Sequence, residues 1–365
     1  MLGTFVALDL FLFYIFWEIV LVPMYFLIGM WGGGRREYSA FKFFVYTLAG
    51  SLFMLLAILA LYLKTNTFDM LQLAQLGRSF DVQFGRLLFL GFFLGFAIKV
   101  PVFPFHTWLP DAHVDAPTPG SVLLAGVLLK MGGYGFFRIS YPICPEAAHH
   151  FAWAMAVLGT INIVYGAFVA MAQTDFKKLV AYSSVSHMGF VLLGLASLTP
   201  AGLNGAMLQM FSHGLLTGGM FLLVGMLYER THTRELSAFG GLGAQAPAYA
   251  GFLIFFCLGS LGLPGLSGFV AEFLSMLGAF NLWRWQTIVS SLGIVVAAAY
   301  MLKVIRQILL GPLNEKWRNL SDMTMWERLS LIPLLLIVLA VGVYPLMILQ
   351  AQDATLLQLL KHIGQ

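Results

Sequence analysis

The residues most able to do chemistry lie between Gly91 and Arg138. Here one apolar helix carries Lys99, a proline-containing segment and a polar turn follow, and a second apolar helix carries Lys130 in its middle. A charge near the centre of a bilayer costs about 2.5–3.5 kcal/mol, so each lysine needs a partner, internal water or a neutral form. Pro101 interrupts the first helix at membrane depth, where protein or internal water must satisfy the freed carbonyls. This stretch predicts a buried ion path.

Other ionisable side chains also lie within apolar stretches. Glu18 stands about 13 Å along a helix from Asp9, well inside the hydrocarbon, although an interfacial glutamate on a shifted helix is the alternative. His187 and His213 occur in two later spans, and Glu272 follows a proline-glycine interruption by about one turn. His187 could be an uncharged, hydrogen-bonded core residue. The alternative interpretation, that His187 takes part in function, rests on the polar residues around it.

Composition limits the class of protein. The chain has 365 residues, of which 60% are hydrophobic and 10% charged, with a mean hydropathy of +0.86. Apolar stretches of about 20 residues recur, so we predict an all-α polytopic membrane protein. The net charge of +4 is weak and dispersed and gives no reason to expect nucleic acid binding. Cys144 and Cys257 cannot build a disulfide framework or ligate a cluster, so redox chemistry must happen elsewhere. The first residues lack a basic segment and a cleavage site, and we expect them to be retained membrane helix.

The apolar segments predict about ten crossings, two of them interrupted. The spans are residues 9–31, 40–63, 87–105, 118–139, 151–171, 180–198, 203–228, 247–280, 286–309 and 329–349. A short amphipathic piece is expected at 70–76, and residues 350–365 are expected to form an outer-face tail. Two interrupted helices suggest the inverted repeats of transporters, with ion sites at the breaks.

The basic residues alternate between the loops and predict the orientation. One side holds more of them than the other and should be cytoplasmic; its residues are Arg35, Arg36, Lys177, Lys178, Arg230, Arg234, Lys316 and Arg318. Lys42 and Lys303, near helix ends, are expected to snorkel to the interface. The glycines at 240–243 follow no strand and are too few for a phosphate loop, which excludes a nucleotide site there.

The polar turn at 106–115 admits more than one reading. His106 and His113 could bind a metal together with Asp111 and Asp115. Histidines beside water at a membrane mouth also accept and pass protons or cap a helix. Asp111 and Thr118 suit helix capping, which is the preferred role for Asp111.

Several motifs resemble those of the antiporter-like membrane subunits of respiratory complex I, and most closely the M-type subunit. They are Trp17-Glu18, Leu21–Tyr25, Phe96–Pro101, His106–His113, Ala116–Ser121, Leu128–Lys130, and the histidines His187 and His213. Membrane-bound hydrogenases and multisubunit Na⁺/H⁺ antiporters share much of this pattern. Position 272 holds a glutamate, Glu272, whereas the L- and N-type subunits resemble each other in having lysine there, and this favours the M type. The absence of a long lateral helix like that of the L-type subunit favours it too.

The resemblance implies a function and a set of roles. NADH oxidation by quinone in other subunits would drive a proton relay in this chain, in which Glu18 pairs with Lys99 and sets its charge. Lys130 would be the central carrier, His187 and His213 would continue the hydrated row, and Glu272 would be the exit-side carrier. Residues 1–139 would form the first repeat, 149–310 the second, and 311–365 a loop, the last helix and the tail.

The resemblance also implies the surroundings of the chain. It would have no cofactor of its own, with NADH, FMN, iron–sulfur clusters and quinone in partner subunits. L-, N- and K-type subunits would be its neighbours in a bacterial plasma membrane. Relative to the family, roughly four N-terminal helices are missing, through a fragment, a misassigned start or a true short form, and this puts independent folding in doubt. A cation/proton antiporter or membrane-bound hydrogenase subunit, or a purely structural membrane spacer, are the alternatives.

Overall fold

A computed structural model describes residues 1–364, and in that range the chain is helical, with isolated β-bridges but no strand. The main helices, numbered here in chain order, are α1 (Leu2–Val6), α2 (Leu10–Ile19), α3 (Leu21–Trp31), α4 (Arg36–Thr65), α5 (Met70–Leu76), α6 (Val82–Lys99), α7 (Trp108–Asp115), α8 (Thr118–Ile143), α9 (Pro145–Ala172), α10 (Phe176–Ala196), α11 (Pro200–Thr231), α12 (Pro247–Ser260), α13 (Ser267–Phe280), α14 (Arg284–Leu309), α15 (Met325–Val343) and α16 (Leu346–Gly364).

The number of membrane crossings agrees with the sequence. Within residues 1–364, nine helices are long and apolar enough to span a bilayer, with α2 and α3 counted as one. The shorter apolar helices α12 and α13 flank an interruption. Counted together as one further crossing, they bring the total to ten. The all-α polytopic fold is confirmed, and α5 has the predicted limits.

Both predicted helix breaks are present. The first lies between α6 and α7, where Pro101 and Pro104 have no backbone N–H to continue the helical ladder. The second lies between α12 and α13. There Gly262 and Gly265 adopt φ angles of 83° and 94°, a conformation that glycine takes without a steric penalty.

The basic loops gather at one end of the helix bundle. Arg234 forms an ion pair of 3.2 Å with Asp175, and Lys177 donates to the carbonyl of Ala116 at 2.5 Å. The indole of Trp317 donates to the carbonyl of Ala238 at 2.8 Å, which ties the loop before α15 to the loop after α11. We call this the basic end, and it agrees with the predicted side of the basic turns.

Two short backbone bridges close the bundle at opposite ends. Asp9 pairs with Asp69 at the end away from the basic loops, and Asp175 pairs with Glu235 at the basic end. In each pair the first aspartate caps the following helix, by accepting from the backbone N–H of Leu12 or Lys178 at 2.9 Å. The two bridges are therefore local copies of one arrangement.

The segment predicted as a tail, residues 350–365, falls within α16 as far as Gly364, and Gln365 lies outside the described residues. Leu356 and Ile363 are buried, and Asn204 donates to the carboxylate of Asp353 at 3.0 Å. His362 contacts the carbonyl of Pro142 at 2.9 Å. The helix thus packs across the end opposite the basic loops.

Helices α9 and α10 approach each other closely because small residues line their contact. A methyl group on Gly166 would lie 2.6 Å from the backbone nitrogen of Ser186, and Gly159 and Gly189 face each other in the same way. The hydroxyl of Ser186 donates to the carbonyl of Ile163 at 2.8 Å, across the same contact. This contact fixes the position of α10, which carries His187.

Candidate functional site

Lys130 and His213 form the first contact of a buried polar row. Lys130 is 7% exposed, stands halfway along α8, and places its Nζ 2.6 Å from Nδ1 of His213 on α11. The same amine donates to the carbonyl of Ala125, at the π-helical turn Leu124–Leu128. Such turns leave the regular helical ladder and are frequent at functional sites. The amine has thereby two partners at mid-membrane depth.

His187 and Glu272 form the second contact. Nδ1 of His187 on α10 lies 2.8 Å from Oε1 of Glu272 on α13, and both side chains are 5% exposed. The amide of Gln209, on α11, donates to the same carboxylate oxygen and to the carbonyl of His187, each at 3.4 Å. A buried carboxylate with one amide donor and a histidine partner meets the requirement that buried charges be paired and hydrogen-bonded.

The two contacts meet between the histidine rings. The ring centroids of His187 and His213 are 5.7 Å apart. Both rings line a cavity with a volume of about 10 Å³. Four buried polar atoms near this point have no hydrogen-bond partner within residues 1–364: both histidine Nε2 atoms, Oε1 of Gln209 and Oγ of Ser267. Polar surroundings and a volume near that of one water are the conditions under which buried water is held.

Lys99 lies apart from this row. It is fully buried, and its amine contacts the carbonyl of Trp17 at 3.4 Å and the Trp17 ring at 4.3 Å from the centroid. The expected ion pair with Glu18 does not form, since no carboxylate oxygen of residues 1–364 lies within 4.0 Å of the amine. The indole and carbonyl of the residue before Glu18 take that place, through a cation–π contact. Glu18 is half-buried, and its Oε1 has no partner within residues 1–364.

A single side chain satisfies the backbone at the first break. Asn162 on α9 is fully buried, accepts from the N–H of Phe103 at 2.7 Å and donates to the carbonyl of Pro101 at 3.1 Å. It also lies 3.5 Å from the carbonyl of Val185 on α10. The break is therefore held by protein at membrane depth, as buried backbone requires.

The turn that follows the break gives Lys42 a partner and corrects one expectation. The amine of Lys42 forms an ion pair of 2.7 Å with Asp111. Asp111 lies inside α7 and does not cap it, since the helix begins at Trp108. Asp115 accepts from the hydroxyl of Ser39 at 2.5 Å. No group of three potential ligands is placed to hold a metal among residues 1–364, and both aspartates have other partners.

Gln209 and Asn162 were not identified as site residues from sequence. Gln209 precedes His213 by one helical turn on the same apolar helix, and this i, i+4 spacing was the available signal. Asn162 gave a weaker signal, as the lone amide of an apolar span. Lys303 donates to the carbonyls of Met171 and Gln173 at 2.9 and 3.1 Å, at the basic end of α9. It lies near a helix end, as expected, and away from the row.

The row has the groups needed to pass protons. Lys130, His213, His187 and Glu272 are each able to gain and lose one, and neighbouring members are joined by a hydrogen bond or by a cavity of water size. Neutral imidazole has one donor and one acceptor nitrogen, so it can take a proton on one side and release one on the other. The structure thus unites four of the six predicted residues, with Lys99 and Glu18 in a separate pocket.

Comparisons with known proteins agree with this geometry. The family described as NADH:quinone oxidoreductase/Mrp antiporter, transmembrane, matches residues 7–299. NADH-quinone oxidoreductase subunit M of Rickettsia bellii is 46% identical over 349 residues, which cover 95% of this chain and 71% of that protein. Subunit M of Rhodobacter capsulatus is 48% identical over 361 residues, with 94% and 70% covered.

Among solved structures, a chain of respiratory complex I from Thermus thermophilus with bound NADH superposes with a TM-score of 0.94 at 36% identity. The match covers 100% of this chain and 77% of that one. Both the sequence match over most of the chain and the helix arrangement lead to the same assignment. The chain therefore belongs to the NADH:quinone oxidoreductase/Mrp antiporter transmembrane family, among its M-type subunits.

Proposed function

We propose that this chain translocates protons as a membrane subunit of an NADH:quinone oxidoreductase, with electron transfer from NADH to quinone taking place in other subunits. The observation that carries the proposal is the buried row from Lys130 through His213 and His187 to Glu272. Four titratable groups at mid-membrane depth are expensive in hydrocarbon, and a relay of protons explains their presence.

The hydrogen-bonded contacts define the order of transfer. A protonated Lys130 gives its proton to Nδ1 of His213, which lies 2.6 Å away. A water between the two rings carries a proton from His213 to His187, and His187 gives one to Glu272 across 2.8 Å. A histidine that accepts a proton on one ring nitrogen and releases one from the other is left as the opposite tautomer, and rotation of its ring restores the starting tautomer before the next transfer. Glu272 releases its proton to water on the exit side before it accepts another. At this last contact the amide of Gln209 donates both to the Glu272 carboxylate and to the His187 carbonyl, which keeps the carboxylate and α10 in place.

Lys99 and Glu18 have a different part in this proposal. The amine of Lys99 contacts no member of the row, but α6, which carries it, packs on α8, which carries Lys130, and we infer that the charge of Lys99 acts on Lys130 across that contact. A like charge nearby disfavours protonation of an amine, so a positive Lys99 would promote proton release from Lys130. Glu18, adjacent to the Trp17 that holds Lys99, would oppose that effect.

Residues 1–139 and 149–310 are proposed as two inverted repeats, with 311–365 as the connecting loop and final helices. The two backbone bridges support this division. Asp9–Asp69 and Asp175–Glu235 have the same separation of 60 residues, and they lie at opposite ends of the bundle. Asn66 and His232 end the preceding helices in the same left-handed conformation. Inverted repeats of this kind place ion sites at broken helices.

The setting follows from the relatives. Their names are those of a bacterial multisubunit oxidoreductase, so we propose a bacterial plasma membrane with the basic end in the cytoplasm, and L-, N- and K-type subunits as neighbours. NADH, FMN, iron–sulfur clusters and quinone would be bound by those partners or by a peripheral arm. The alternative, a cation/proton antiporter subunit, uses the same row without NADH.

The test replaces the carrier without removing its charge. Lys130→Arg keeps a cation, but arginine has a pKa above about 12 and does not release a proton at neutral pH, so we expect an assembled complex that does not pump. Lys303→Arg is the matched control, because Lys303 only donates to carbonyls at the basic end. Proton uptake is measured in membrane vesicles energised by NADH, with complex content determined on native gels.

The outcomes separate the candidate functions. Pumping by Lys303→Arg but not by Lys130→Arg supports the relay. Near-normal pumping by both variants would show that Lys130 supplies only a fixed charge, and would refute it. Proton movement that requires a cation gradient and is unaffected by NADH would identify the antiporter instead.

A further inference from the structure

A cavity at the end opposite the basic loops is lined by five helices and contains no member of the row. Its volume is about 460 Å³, within the range of about 300–1,000 Å³ that is typical of small-molecule sites. It lies between α1 and the end of α8, beneath the docked helix α16, and α5 and α11 contribute one residue each. A ligand bound there would not enter the path from Lys130 to Glu272.

The walls of this cavity are apolar and continue onto the outer surface of the helix bundle. Side chains from α1, α8, α11 and α16 supply much of the lining: Phe5, Phe137, Met207, Leu356 and Leu359. Leu8 also lines the cavity and is 53% exposed, and Val6 and Phe11 beside it in the sequence are exposed as well. Exposed apolar side chains of this kind mark contact with a membrane or a partner. The cavity is therefore open to hydrocarbon chains of the bilayer.

Arg138 is the one arginine or lysine in the lining that residues 1–364 form, and none of the lining residues is acidic. It makes no ion pair with a carboxylate of those residues. It stands five residues before Ile143, the last residue of α8, or about 7.5 Å along the helix axis. The headgroup layer is about 5–7.5 Å thick on each face of a bilayer. Arg138 therefore stands near the level of the lipid phosphates.

The local geometry of α8 places Arg138 in the cavity. It is the middle residue of the π-helical turn Phe136–Ser140, and such turns are frequent at functional sites. The other π-helical turn of α8 precedes Lys130 and belongs to the row. One helical turn before Arg138, the hydroxyl of Tyr134 donates to the carbonyl of Phe5 at 3.0 Å, which fixes α1 against α8. Arg138 is thus a half-buried cation beside a fixed apolar wall.

Helix α16 covers the cavity and supplies neutral polar groups. Leu356 is buried, whereas Thr355 and Gln358 are exposed, and all three line the cavity. The contact of His362 with the carbonyl of Pro142 holds α16 over the end of α8. Hydroxyl and amide groups can donate to phosphate and ester oxygens. The cavity therefore combines one cation and neutral donors with apolar walls.

We propose that this cavity binds one phospholipid of net negative charge, with its phosphodiester on Arg138 and its acyl chains along the apolar walls. A guanidinium group binds phosphate oxygens through two parallel N–H donors. One net negative charge matches the single lining cation, whereas the ammonium group of a zwitterionic lipid finds no carboxylate in the lining. The lipid fills the space between α1, α8 and α16 and attaches the docked helix to the bundle. This proposal is independent of the proton relay.

The test labels the bound lipid in the intact complex. The probe is phosphatidylglycerol with a photoactivatable diazirine in one acyl chain, added to the purified complex in detergent. After illumination, labelled peptides are identified by mass spectrometry, and we expect label on α16 and on the end of α8. In Arg138→Gln this label should fall about tenfold or more, the effect of losing a hydrogen bond between charged groups. Arg138→Lys keeps a cation that binds phosphate and should retain at least half of the label.

Matched variants separate the loss of this site from a general loss of charge. Arg284→Gln removes an exposed arginine at the same end of the bundle, where the guanidinium lies over the ring of Phe280 and does not line the cavity. It should be labelled like the parental complex. Thr355→Glu adds an anion to the lining, and Thr355→Gln adds a neutral side chain of the same size. Both should assemble on native gels because Thr355 is exposed, and the glutamate variant alone should lose the label.

Competition identifies the class of ligand. Unlabelled phosphatidylglycerol should displace the label, whereas phosphatidylcholine should need a concentration at least tenfold higher, and inorganic phosphate should not compete. Equal competition by phosphatidylcholine would refute the requirement for net charge. Equal competition by inorganic phosphate would show an anion site that takes no lipid. Either result would overturn the proposal.

Three further results would overturn it. They are the absence of label on α8 and α16 in the parental complex, which would show that protein fills the cavity, equal label in the parental and Arg138→Gln complexes, and equal label in the two Thr355 variants. If Arg138→Gln fails to assemble, the two Thr355 variants decide. None of these measurements depends on pumping, so the comparison of Lys130→Arg with Lys303→Arg still judges the proposed function separately.

Discussion

The contact between α9 and α10 gives a prediction that changes no ionisable residue. In Gly166→Ala the new methyl carbon would lie 2.6 Å from the backbone nitrogen of Ser186, whereas ordinary contacts begin at 3.4 Å. The helices must therefore separate or shift by about 0.8 Å at this level. Ser186 adjoins His187, so a shift of this size takes the 2.8 Å contact with Glu272 towards 3.6 Å, beyond a hydrogen bond.

The expected result is a complex that assembles but pumps slowly. A misplacement of about 1 Å can reduce a rate by about 10²-fold, so we expect a reduction of roughly 10- to 100-fold. Proton uptake per assembled complex is measured in NADH-energised vesicles. Gly251→Ala is the control, because a methyl there meets no atom within 4 Å. Parental pumping by an assembled Gly166→Ala complex would show that the His187–Glu272 distance does not limit transfer.

Two further predictions concern the pocket of Lys99 and the first break. Glu18→Ala should assemble but not pump, because it removes the half-buried carboxylate beside Trp17, whereas Glu18→Asp should be milder. Normal pumping by an assembled Glu18→Ala complex would contradict the role of Glu18. Asn162→Leu should leave two backbone groups of the break unpaired at about 1–3 kcal/mol each, so the complex should dissociate at a lower temperature on native gels. Thr47→Val, which loses only bonds to the carbonyls of Phe43 and Phe44 in its own helix, should have a smaller effect, and equal losses would argue against the role of Asn162 at the break.

Much of the fold could be predicted because hydrocarbon imposes strong local constraints. Apolar length defines the spans, proline defines the first break, and the pairing of proline with glycine defines the second. Lys130, His187, His213 and Glu272 were recognisable individually, because an ionisable residue inside an apolar span is rare. Their assignment as site residues remains a prediction of function, although the structure places these four in contact.

Pairings between distant residues were less predictable. Lys42 was expected to snorkel because it is near a helix start, but its amine also donates a hydrogen bond to Asp111, which is 69 residues away in the sequence. Lys99 was expected to pair with Glu18, but the side chain reaches the Trp17 carbonyl and ring. The π-helical turn before Lys130 has no clear signal in the sequence. Each of these depends on how helices are placed against one another, which hydropathy and spacing do not specify.

The docking of α16 has a consequence for the order in which the chain matures. This helix contacts Arg78, Pro142, His149 and Asn204, which are separated from their partners by 149 to 284 residues. Synthesis proceeds from the N-terminus, so the earlier helices reach the membrane long before these partners exist. The surface around Asn204 stays uncovered until Asp353, its partner on α16, has been synthesised. Completion of this end of the bundle therefore follows the insertion of the earlier helices.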